Sequence, residues 1–173
     1  MGSNFVRYVL ERMPSTNIVN IDLLTYAGNL KNLEGVPQKK YRFVKGDICD
    51  AKKVASLIKK ADFIVNFAAE THVDRSIHGD AGAFVRTNVH GVQVLLNALR
   101  HAPRVIKMIH ISTDEVWGDL PLSSKKKFNE SSPILPNSPY AASKAAGDLL
   151  VRSYVRTYRL PVIVSHSVNN FDP

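Results

Sequence analysis

Cysteine is nearly absent from this chain of 173 residues: Cys49 stands alone, so no disulfide can form within it. No apolar run approaches the stretch of about eighteen residues that crosses a bilayer, and no membrane association is expected. The opening residues, Met1-Gly2-Ser3-Asn4-Phe5, lack the basic, apolar and small-residue succession of a secretory leader, which makes the cytoplasm the expected compartment. The six histidines are dispersed, with no cysteines at zinc-ligand spacing, and no metal site is expected. Internal repeats and low-complexity linkers are missing too, so the chain reads as one folded unit.

What is abundant is positive charge. The formal net charge of +8 comes largely from Lys39-Lys40, Lys52-Lys53, Lys59-Lys60 and Lys125-Lys126-Lys127. These clusters are scattered and carry no interleaved aromatic stripe, so they read as solvated surface and not as a nucleic-acid footprint. Their summed field would still attract a diphosphate-bearing ligand. With 45% apolar and 22% charged residues, the composition is that of a globular domain with a real core.

Periodicity orders the chain. Phe5, Val6, Val9, Leu10 and Met13 fall at helical spacing, and Pro14 closes that segment. Strands are predicted at Asn17 to Leu23, Tyr41 to Lys45, Asp62 to Ala69, Val105 to Ile111 and Pro161 to Ser165. Helices are predicted at Lys52 to Lys60, Phe84 to Arg100 and Pro139 to Tyr158. Strands alternating with helices indicate an α/β fold, a Rossmann-like doubly wound parallel sheet covered on both faces. The stretch from Leu120 to Pro139, rich in Ser, Lys, Pro and Asn, reads as an exposed loop long enough to serve a function.

Chemistry concentrates in two places. Tyr140 and Lys144 lie four residues apart and share a helix face, where an ammonium near a phenol would lower the phenol's pKa and make a base. Asp114 and Glu115 follow Thr113 at the end of a strand, and two adjacent carboxyls repel, which separates their pKa values into an acid and a base. Asp22 ends a strand about twenty residues after Gly2, the place from which a carboxylate takes ribose hydroxyls and disfavours an added phosphate. Gly46-Asp47-Ile48 follows the next strand. Taken singly, Asp22 and Asp47 read equally well as turn residues.

These residues resemble a known pattern. The chain is similar to the extended short-chain dehydrogenase/reductases, and within them to the dTDP-glucose 4,6-dehydratases. The likeness rests on Asp22 to Leu30 (DLLTYAGNL), Lys45 to Asp50 (KGDICD), Phe67 to Ser76 (FAAETHVDRS), Thr87-Asn88-Val89, Ile111 to Val116 (ISTDEV), Ser138-Pro139-Tyr140 through Lys144, and Asn169-Asn170. It runs through nearly the whole chain in order. The resemblance implies NAD as cofactor, held by Gly2, Asp22, Thr25, Asp47, Ile48, Phe67, Ala68, Ala69, Thr71, Thr87, Ser112, Tyr140, Lys144 and Asn170. It implies a nucleotide-sugar substrate, dTDP-glucose, met by Thr71, His72, Thr113 and Asn169. Tyr140, aided by Lys144, would take the 4-hydroxyl proton, Glu115 the C5 proton, and Asp114 would protonate the departing 6-hydroxyl. A homodimer paired through residues 84–100 and 139–158 is implied as well.

The chain also departs from that pattern. Of the family's opening strand and GxxGxxG turn only Gly2 is present, and no smaller substrate domain follows Asn169-Asn170, so an incomplete NAD-binding domain is expected over residues 1–173. Trp117 stands where tyrosine is usual and His166 where arginine is common. Without a central strand, the strand at Ile18 could close onto that at Ile64, the piece could fold poorly alone, or another chain could supply the strand. Three readings stay open: a dehydratase, an inactive truncated remnant, or an epimerase or decarboxylase on the same fold, against which Asp114-Glu115 argues.

Overall fold

The computed structural model describes residues 1–168, so Asn169 and Asn170 lie outside the described residues. The first helix, α1 (Gly2–Arg12), begins three residues earlier than periodicity suggested and turns Val6, Val9 and Leu10 inward. Strand β1 (Ile18–Asp22) pairs in parallel with β2 (Tyr41–Lys45), Ile18 opposite Tyr41. Helix α2 (Ala51–Ile58) follows, started by Asp50, whose carboxylate accepts the Lys53 N–H. Strand β3 (Phe63–Asn66) is shorter than predicted, because the chain leaves the ladder at Phe67 and runs to two short helices, α3 (Val73–His78) and α4 (Ala81–Phe84).

A π-helical segment, Val85–Gly91, joins α4 to α5 (Val92–Leu99). Strand β4 (Lys107–Thr113) lies between β3 and β5 (Val162–Ser167), all parallel. Helix α6 (Pro139–Tyr158) spans the long return. Ser138 accepts the Ala141 N–H at its start, Pro139 occupies the first turn, and Arg159 ends it in the left-handed region.

The parallel α/β class holds, but the strands form two sheets, β1-β2 and β3-β4-β5. The strand at Ile18 therefore does not close onto that at Ile64. Helix α1 bridges the pieces instead: its Val6 and Leu10 pack with Leu33, Val36 and Tyr41, while Phe5 lies 5.3 Å from the Phe67 ring. The main core joins α2, α5 and β4 through Val54, Ile58, Leu95, Leu99 and Met108. A second cluster seals α5 against α6 through Val92, Leu96 and Val151. On the opposite sheet face Val65, Ile109 and Ile111 are only half-buried and Ile163 is exposed, so among the described residues the three-stranded sheet is covered on one face, not two. No helix among these residues is long and apolar enough to cross a membrane.

Candidate active site

Parallel strands deliver their carboxyl ends to one rim, and the sequence-predicted residues gather there. Strand β4 ends at Ser112 and Thr113, both buried. The Thr113 hydroxyl donates to Asp114 Oδ1 at 3.3 Å and accepts the Glu115 N–H at 3.3 Å, which caps the 3-10 turn Asp114–Trp117. Tyr140, on the first turn of α6, lies close enough to Thr113, Asp114 and Glu115 for each to shift its pKa. Thr113 thus holds the Asp114 carboxyl and the Glu115 backbone beside the phenol.

Burial, with the negative charges of Asp114 and Asp119, pushes the Glu115 carboxyl up, toward the range where a carboxylate is a better base. Tyr140 differs from expectation. Burial and the nearby Glu115 and Asp114 carboxylates raise its pKa, with the Thr113 hydrogen bond opposing them. The ammonium of Lys144 is directed elsewhere: Nζ donates to the Ile111 carbonyl at 2.6 Å. Burial lowers the Lys144 pKa to about 8, with Asp148 opposing the fall.

The segment after β3 is held by Asn88. This side chain, 2% exposed, accepts the Glu70 N–H at 2.9 Å and donates to Glu70 O at 2.9 Å and to Ser143 Oγ at 2.8 Å. It links the Phe67 to Thr71 stretch to the helix that carries Tyr140 and Lys144. The close approach needs a glycine on α6, since a Cβ at Gly147 would stand 2.7 Å from the Asn88 carbonyl. Thr87 is half-buried in the same π-helical segment.

Thr71 Oγ1 and the Tyr26 hydroxyl share a hydrogen bond at 2.8 Å, and Arg75 lies over the Tyr26 ring at 3.7 Å. His72, 6.0 Å from that ring, has a φ of 77°, in the left-handed region. Asp22 accepts the Leu24 N–H at 2.7 Å, and the Thr25 carbonyl accepts the Gly28 N–H at 3.0 Å. Both residues thus shape the turn after β1 on an exposed surface. Asp47 accepts the Cys49 N–H at 2.8 Å and pairs with Arg86 at 2.7 Å, while Ile48 is buried beside Gly91. Gly2, the first residue of α1, sits against Phe67. The structure therefore assembles the catalytic candidates at one point and spreads the cofactor candidates along the rim of both sheets.

A family model described as GDP-mannose 4,6 dehydratase matches residues 1–173. The chain belongs to this family. It is 50% identical over 179 residues to a dTDP-glucose 4,6-dehydratase of Streptomyces niveus, covering 100% of this chain and 52% of that protein. A low-salt glycan biosynthesis protein of Haloferax volcanii is 49% identical over 174 residues, with 100% and 54% covered. Among solved structures, a dTDP-glucose 4,6-dehydratase of Streptomyces venezuelae with NAD bound superposes with a TM-score of 0.92 at 47% identity, over 99% of this chain and 53% of that one. The chain spans about half the length of the curated relatives it matches.

The two substitutions noted against the dehydratase pattern touch one another. The Trp117 ring lies 4.6 Å from His166 and 5.7 Å from Phe128, which fastens the long loop before α6 beside the site. The loop turns at Gly118, where φ is 83° and a Cβ would strike the Leu135 carbonyl. Sequence reasoning missed Tyr26, Arg75, His110 and Asp148 as neighbours of the site. For Asp148 a signal was present: it continues the four-residue spacing of Tyr140 and Lys144 on α6.

Proposed function

We propose that this chain is the nucleotide-binding and catalytic portion of an NAD-dependent nucleotide-sugar 4,6-dehydratase acting on dTDP-glucose. The observation that carries this reading is the meeting of Asp114, Glu115 and Tyr140 at Thr113, whose hydroxyl engages Asp114 and the Glu115 backbone while both carboxylates act on the buried phenol. An acid, a base and a phenol within reach of one another suit an elimination adjacent to a carbonyl. The relatives' names and the NAD-bound neighbours support the same substrate and cofactor.

The residues present fit NAD. Helix α1 starts at Gly2 with no side-chain cap, so its first N–H groups suit a pyrophosphate, and Asp22 ends β1 where ribose hydroxyls would be met. Thr25, Asp47, Ile48, Phe67, Ala68, Ala69, Thr71, Thr87 and Ser112 would line the remainder. Bound nicotinamide would supply the hydride acceptor for C4 of the sugar and the donor for C6, which leaves no net oxidation.

The chain's own groups do the rest. Thr71, His72 and Thr113 orient the sugar. Tyr140 takes the 4-hydroxyl proton, and Lys144, now held by the Ile111 carbonyl, would help the transfer by turning toward the phenol one helical turn away. Once C4 is a ketone the C5 proton is acidic, and Glu115, whose carboxyl burial has made more basic, removes it. Asp114 protonates the departing 6-hydroxyl. We extend the reading to a cytoplasmic homodimer paired through residues 84–100 and α6, where Val85, Leu149 and Tyr158 are exposed apolar residues.

Calorimetric titration with NAD, with circular dichroism on the same sample, tests the cofactor. Incubation with dTDP-glucose then tests the reaction: a 4-keto product with no accumulation of NADH is expected. Glu115→Gln should lower elimination by about 10²- to 10⁴-fold. A folded chain that neither binds NAD nor eliminates would overturn the proposal.

A further inference from the structure

Behind the site lies a buried polar chain that the mechanism above does not use. The Ala68 N–H donates to Asn66 Oδ1 at 3.2 Å, which turns the Asn66 amide nitrogen toward His110 Nδ1 at 3.0 Å. Nδ1 is therefore the acceptor, and in neutral His110 the proton sits on Nε2. That nitrogen faces Asp148 Oδ1 at 3.6 Å, and neither atom has a hydrogen-bond partner among the described residues. The other carboxylate oxygen of Asp148 accepts from Ser112 Oγ at 2.8 Å and from His166 Nε2 at 3.0 Å.

The members are deeply buried: Asn66 is 5% exposed, His110 1%, Ser112 5% and Asp148 7%. A buried carboxylate is costly unless donors and a counter-charge surround it. Lys144, 5% exposed and one helical turn away on the same face of α6, supplies that charge.

We propose that Asp148 is a positioning residue for Lys144: anchored by Ser112 and His166 and faced by His110, its carboxylate favours the Lys144 ammonium, one helical turn from Tyr140. The direction of every hydrogen bond agrees with this assignment. Burial drives the His110 pKa down to about 4, so the ring stays neutral and adds no positive charge to compete with Lys144 for Asp148. The groups acting on Lys144 are the Ile111 carbonyl and His110 from β4 and Asp148 on its own helix, with His166 of β5 on the far oxygen of that carboxylate. Asp148 is the only anion in that set. The hydrogen bonds run from Ala68, in the stretch read as lining the cofactor, through Asn66 to His110, which faces Asp148 of α6 at 3.6 Å.

The inference rests on the proposed function only for the importance of Lys144, and its test is independent of turnover. The ε-carbon shifts of the lysines of the 173-residue chain, followed by NMR against pH, report Lys144 directly. Asp148→Asn should lower its titration midpoint by about one pH unit or more, and Asp148→Glu should restore it. An unchanged midpoint in folded Asp148→Asn would overturn the proposal. Should that variant not fold, the ring nitrogens of His110 in the unmodified chain decide. A neutral Nε2–H tautomer at pH 6 supports the proposal, and an Nδ1–H tautomer or an imidazolium refutes it. Failure to bind NAD, with the Lys144 shift intact, would sink the functional reading and leave this one standing.

Discussion

The two sheets are built to different depths. In the three-stranded piece Leu96 and Met108 are fully buried, and Val92 and Val151 are each 1% exposed. In the two-stranded piece the core residues Val6, Leu10, Leu33, Val36 and Tyr41 retain between 7% and 9% exposure, under one helix and one short turn. The division follows the chemistry. Thr113, Asp114, Glu115, Tyr140 and Lys144 all ride on the deep piece, whereas Asp22, Thr25 and Asp47 ride on the shallow one. Groups read as transferring protons sit where packing is dense, and groups read as gripping the far end of a cofactor sit where opening is cheaper.

Core truncation should separate the pieces most widely. Met108→Ala is expected to remove about 2 to 5 kcal/mol from the urea unfolding free energy. Leu33→Ala should remove less than half as much, because its site is partly wet and can collapse. Equal losses would break the comparison.

Acid should divide them next. His110 has a folded pKa of about 4 against its ordinary 6.5, so the unfolded chain binds the proton first. Its contribution is complete above pH 6.5, shrinks as pH falls, and is gone near pH 4, on the order of 3 kcal/mol in all. His110→Gln should flatten that slope in a pH series of denaturation curves. In the shallow piece, burial raises the Asp47 carboxyl, but the Cys49 N–H and the Arg86 guanidinium outweigh it and hold the group below its ordinary 3.8. Its contribution therefore persists above pH 3.8 and fades only below, so Asp47→Asn should leave the slope between pH 6.5 and pH 4 unchanged.

Caps give the smallest contrast. Ser138→Ala removes the side-chain acceptor for the Ala141 N–H and should cost about 1 kcal/mol, measured by thermal unfolding. Asn29→Ala, which uncaps only the four-residue turn Leu30–Leu33 of the shallow piece, should cost less.

Much of this was legible in the letters. Apolar runs and helical spacing located all five strands and the four long helical stretches, because burial of one face imposes a period on the sequence. Short α3 escaped notice, since six residues with one buried serine carry no period. Whether the strands at Ile18 and Ile64 would close or stay apart was left open, because strand order is a matter of partners and not of composition. At the site, adjacency made Asp114-Glu115 and the Tyr140–Lys144 spacing visible. The direction of the Tyr140 shift was not, because burial and facing carboxylates come from chain segments far apart in sequence. Asn66, His110 and Asp148 are spread over three elements and look like ordinary polar residues until the fold brings them together.

The π-helical segment has a consequence for the length of the chain. A π turn takes one residue more than an α turn, and here that surplus aims Asn88 at Glu70 and Ser143 while Val92, Leu96 and Leu99 still meet the core. Removing one residue between Val85 and Gly91 would let the stretch rewind as an ordinary α-helix with Val92, Leu96 and Leu99 still in phase with the core. What would be lost is the widened turn that aims Asn88 at Glu70 and Ser143. The extra residue thus serves to tie the chain after β3 to α6, and not to pack the helix that carries it.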